Sequence, residues 1–163
     1  MNLVSKEMVV AAGLLAMPVV AANAHLPNPP EQPSKDYRLQ RLKVFFSKLE
    51  CPIAKFASDF LTAADRNALD WRLLPSISVI ESGGGKNYRN NNIFGWDSCR
   101  EFFPSVRAGI HQVAERLSHS PLYRHKDVDH ILATYNPEPE YAARVKALMR
   151  ELSAPEHTTA CLQ

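Results

Sequence analysis

Residues 70–85 read Asp-Trp-Arg-Leu-Leu-Pro-Ser-Ile-Ser-Val-Ile-Glu-Ser-Gly-Gly-Gly. An apolar run of this length, with a proline suited to a first helical turn and three glycines behind it, predicts a short buried helix over Leu73–Ser82 that stops at Gly83. Working outward, Leu39, Leu42, Phe45, Phe46 and Leu49 keep helical spacing. After Cys51-Pro52, the series Ile53, Phe56, Ala57, Phe60, Leu61 and Ala64 keeps it more cleanly. A helix from Pro104-Ser105 to about Ser118 carries Val106, Ile110, Val113, Ala114 and Leu117 on one face. Asp127 or Asp129 caps a short helix through Tyr135, and Tyr141 to Leu152 resumes the period beyond Asn136-Pro137-Glu138-Pro139. Residues 86–102 hold no sustained period and read as a structured loop with a brief hairpin. The fold expected is mainly α, one domain over 36–153, with a small loop or hairpin lobe.

The remaining segments differ in composition. Residues 8–22 are apolar except for Gly13 and Pro18, a run too short to span a bilayer. Followed by Ala22-Asn23-Ala24, it reads as a secretory signal over 1–24, so membrane contact is expected only in transit. Residues 25–35, with four prolines, form an extended linker, and 154–163 a flexible tail. A net charge of +2, without basic runs interleaved with aromatics, excludes a nucleic-acid groove. Export admits a disulfide among Cys51, Cys99 and Cys161. Cys51–Cys99 is the expected pair, since both flank the apolar centre. No Cys or His spacing suggests a metal site.

Chemistry centres on Glu81. It leaves an apolar helix on the side of Ile77 and Ser78, where apolar neighbours and the negative end of the helix dipole both favour its protonated form. A carboxylic acid kept neutral near working pH is what a glycosidase general acid requires. Three glycines follow, and then Asn90 to Trp96 place amides beside Phe94 and Trp96. Amides pair with sugar hydroxyl and N-acetyl groups, and aromatic faces stack on pyranose rings. Asn91, Asn92, Phe94, Gly95 and Trp96 are therefore candidate substrate contacts.

Together, LLPSISVIESGGGK, NNIFGW and ILATYNPEPEYAARVKALM resemble the bacterial glucosaminidase (mannosyl-glycoprotein endo-beta-N-acetylglucosaminidase-like) family, related to goose-type lysozymes and soluble lytic transglycosylases. The likeness covers about residues 53–152. It implies a lysozyme-like fold with a sugar cleft, Glu81 as catalytic acid, the 92–96 segment as cleft lining, and Tyr135 as a tyrosine supporting the acid and the N-acetyl group. The implied activity is cleavage of peptidoglycan glycan strands by an exported monomer, periplasmic or extracellular, that needs no metal or organic cofactor. Asp97 and Glu101 are the candidates for a second carboxylate, which hydrolysis with inversion needs and transglycosylation does not. A noncatalytic wall-binding module, or an accessory of an envelope assembly, is the alternative. His111, His119 and His125 read as surface residues.

Overall fold

A computed structural model describes residues 36–154; the expected signal, the linker, Cys161 and nearly all of the tail lie outside these residues. The fold is mainly α. The described residues form six α-helices: α1 (Tyr37–Lys48), α2 (Ala57–Arg66), α3 (Leu73–Ser82), α4 (Val106–His119), α5 (Val128–Tyr135) and α6 (Pro139–Ser153). Among the described residues there is no strand; the expected hairpin reduces to one bridge between Arg89 and Asn92. None of the described helices is long and apolar enough to cross a membrane.

Helix boundaries follow their local chemistry. Asp36, Ser105 and Asp127 cap α1, α4 and α5 by accepting from the amides of Arg38, Ala108 and His130. Pro139 opens α6, where its missing N–H costs nothing. Pro52 starts a 3-10 turn, Pro52–Phe56, that feeds α2, so the periodic stretch from Ile53 divides into two pieces. At the other end of α3, Gly83 takes a left-handed conformation (φ 61°), and the amides of Gly83 and Gly84 close onto the Val79 and Ser78 carbonyls.

Helix α3 buries seven of its ten residues and runs through the interior, packed against α2 and α6. Helices α1 and α4 cover α2, and α5 covers α6. An aromatic row of Phe46, Phe60 and Phe94, with centroids 5.5 and 6.3 Å apart, crosses the core. Each fully buried ring or leucine there contributes about 1.5–3 kcal/mol. Central placement of α3 leaves only its last turn to meet the surface, and that turn carries Glu81.

The Cys51–Cys99 bond expected from the sequence is absent: both thiols are free. Cys51 is buried at the end of α3, facing the carbonyls of Leu49 and Gly83, and a side chain on Gly84 would come within 2.2 Å of its sulfur. Burial pushes its thiol pKa up. Cys99 instead closes the turn that follows Trp96. Lying either side of the apolar centre is a statement about sequence position, not about distance in the fold.

Candidate active site

Glu81 is half-buried at the carboxyl end of α3 and faces a cleft of about 670 Å³. One wall comes from the loop, with Gly95, Trp96, Asp97, Ser98 and Glu101; the other comes from Leu122, Tyr123, Tyr135 and Asn136. Tyr141 of α6 donates from its hydroxyl to Glu81 Oε1 at 2.7 Å. Desolvation raises the Glu81 pKa, opposed in part by the Tyr141 hydrogen bond and the charge of Arg144. Burial and the neighbouring carboxylate push the Tyr141 hydroxyl far above its ordinary value, so it remains a donor at every working pH.

That arrangement selects an oxygen. With Oε1 accepting from Tyr141, Oε2 is the oxygen left to carry a proton. Oε2 lies directly under Gly95, where an added Cβ would approach to 2.5 Å. Gly95 also has φ +66°, a conformation costly to any other residue. The close passage of the loop over the acid thus depends on a residue with no side chain.

Tyr135 lines the cleft and reaches Glu81 through Tyr141. Its hydroxyl donates to the Phe94 carbonyl, not to Glu81. Its ring stacks on Tyr141 at 6.0 Å and 11°, and meets Trp96 edge-on at 5.6 Å. Tyr135 is therefore the middle of an aromatic series running from the cleft wall to the tyrosine that holds the acid. Burial, then the proximity of Tyr141 and Glu81, raises its pKa well above the ordinary value.

Of the expected contacts, Glu81, Gly95, Trp96 and Tyr135 gather at the cleft, while Asn91, Asn92 and Phe94 do not line it. Asn92 is buried, and its amide is consumed within the loop: Nδ2 donates to the Trp96 carbonyl at 2.8 Å and the Glu101 carbonyl at 3.3 Å, and Oδ1 accepts from the Trp96 amide at 3.0 Å. Asn91 donates to the Phe103 carbonyl at 2.8 Å. Phe94 is 0% exposed and belongs to the core. These three frame the loop that presents Gly95 and Trp96, and their polar or aromatic character is spent internally.

Asp97 and Glu101 do reach the cleft, each held by an arginine: Arg100 at 2.6 Å and Arg116 at 2.8 Å. Asp97, Ser98 and Cys99 all take left-handed backbone conformations (φ 49°, 53° and 62°). Such geometry costs of order 1 kcal/mol per residue. Return bonds from the Cys99 amide to the Gly95 carbonyl and from the Arg100 amide to the Asp97 carbonyl hold it. Among the described residues no three His, Cys, Asp or Glu side chains are grouped to hold a metal.

Tyr141, Tyr123 and Asn136 are site residues that the sequence reading missed. Tyr141 fits the apolar face of α6 so well that only its hydroxyl betrays a second role; Asn136 adjoins Tyr135 and was available as a signal. Neither a scan of family models nor a search of curated proteins finds a match to this chain.

Proposed function

We propose that this protein is an exported glycosidase that cleaves the N-acetylated glycan strands of peptidoglycan, with Glu81 as general acid. The observation that carries the reading is the carboxyl group itself: half-buried, raised in pKa by desolvation, held through Oε1 by Tyr141, and part of the lining of a cleft. Such a group keeps a proton to donate to a glycosidic oxygen at a pH where a solvated carboxylate has already lost its own. Trp96, with Tyr123 and Tyr135 beside it, supplies a wall of rings for the apolar face of a sugar.

Between the two chemistries open to such an acid, the arginine partners of Asp97 and Glu101 favour the one that needs no second carboxylate. Glu81 protonates the glycosidic oxygen, the C–O bond breaks, and a hydroxyl of the same sugar attacks the anomeric carbon. Its proton returns to Glu81, and the product is an anhydro-sugar. The test is mass spectrometry of fragments released from purified peptidoglycan. Expected are products lighter than their hydrolysed equivalents by one water, released by the wild type and not by Glu81→Gln. Hydrated products alone overturn the transglycosylase chemistry. Retention on the wall with no fragments overturns the enzyme and supports a noncatalytic wall-binding module.

A further inference from the structure

The outer face of α4 carries two adjoining grooves of about 490 and 320 Å³ that share Glu115 and His119. The first is lined also by Gln112, Arg116 and Ser120, the second by Arg66 among others. Their chemistry is the reverse of the cleft's. No Trp, Tyr or Phe lines them, so they offer no stacking platform for a sugar ring. Two guanidinium groups face them, with Glu115 as their one carboxylate. The cleft has three aromatic rings and three carboxylates in its lining, and no cation.

Arg116 joins the two surfaces. Its guanidinium lies 5.5 Å from the Trp96 ring centroid and 5.6 Å from that of Phe103, and Nη2 donates to Glu101 Oε1 at 2.8 Å. Trp96 and Glu101 belong to the cleft wall, while Arg116 lines the first α4 groove. A guanidinium has five N–H donors, so one bond to Glu101 leaves others for the groove. Arg116 therefore stands against the cleft's aromatic wall and lines the first α4 groove as well.

We infer that the α4 grooves form a second subsite, which takes the carboxylate-bearing peptide stem of the strand whose sugars occupy the cleft. Fixed cations with amide and hydroxyl donors suit a carboxylate, and suit a neutral pyranose poorly. Continuity through Arg116 favours an acidic group borne by the same polymer over an unconnected anion. The inference rests on the function proposed above.

The experiment compares the full chain with a double variant, Arg66→Glu plus His119→Glu, both positions being exposed and outside the cleft. Each protein is given intact peptidoglycan and the same strands stripped of peptide by an amidase. The variant is expected to lose about fivefold in kcat/KM on intact strands and to stay within about twofold of wild type on stripped ones, the scale of a few rim ion pairs. Equal losses on both substrates, or no loss on either, overturn the subsite while leaving the proposed glycosidase standing. If wild type releases nothing from either substrate, the glycosidase reading fails, and binding then tests the groove alone, measured by competition of soluble uncross-linked strands, with and without their peptide stems, against retention on intact wall. Weaker competition by stripped than by peptide-bearing strands for wild type, with the difference lost in the variant, supports it; equal competition by both strands for wild type overturns it.

Discussion

Tyr141→Phe removes one oxygen and keeps the ring that packs in the core and stacks on Tyr135. In the ground state the lost hydroxyl served a neutral acid. In the transition state Glu81 gives up its proton, and the same 2.7 Å bond then stabilises a developing carboxylate. A hydrogen bond to a charged group contributes about 1.5–3 kcal/mol, and because this one strengthens as the reaction proceeds, its loss falls on kcat. The expected decrease in kcat is about 10- to 150-fold. KM should hardly move, since Tyr141 does not line the cleft. The pH profile supplies a second readout. Tyr141 lowers the Glu81 pKa against the larger effect of desolvation, so removing it raises that pKa further. The alkaline limb of the rate profile, where the acid loses its proton, should move to higher pH. Carbon-13 titration of the Glu81 carboxyl in wild type and variant measures the same shift without turnover. A kcat within threefold of wild type, or an alkaline limb displaced to lower pH, refutes the assignment of Tyr141 as the group that holds the acid.

Glu81→Gln should stabilise the fold while abolishing fragment release. Burial holds the Glu81 pKa above its ordinary 4.5, so the folded chain binds this proton more tightly than the unfolded one. The contribution of Glu81 to stability is thus greatest below pH 4.5 and falls as pH rises through the raised value. The variant should be more stable than wild type at pH 7 and no more stable at pH 4, seen as melting curves that converge in acid. Gly95→Ala meets Glu81 Oε2 at 2.5 Å in a left-handed backbone; it should cost about 1–3 kcal/mol of stability in a denaturant titration and at least tenfold in kcat. Asn92→Ala should cost about 2–4 kcal/mol by the same titration, since it strips three hydrogen bonds from inside the loop. A marginal loss of stability, with sugar affinity reduced instead, would return Asn92 to the list of ligands.

What could be read along the chain was whatever depends on neighbours a few residues apart. The apolar run Leu73–Ile80 between a helix-compatible proline and a glycine stop specified α3, and the caps at Ser105 and Asp127 marked the starts of α4 and α5. Glu81 was legible for the same reason, because its burial follows from the helix that bears it. Asn92 and Phe94 were misread as cleft contacts, since an amide or ring in a loop turns inward or outward according to how the loop closes. Closure here is governed by bonds such as that between Asn90 and Cys99, nine residues apart.

The sequence by itself determined the helical architecture, the position of the acid and the loop that covers it, all products of short-range periodicity and capping. Only the tertiary structure decided the partner of the acid. Tyr141 stands 60 residues from Glu81, and its hydroxyl reaches Oε1 because α6 packs along α3. That packing maximises buried apolar area and leaves no trace in local spacing. The packing of α4 on α2 likewise brings Arg116 against Trp96 and Glu101, so the cleft's chemistry is a property of helix contacts more than of any motif.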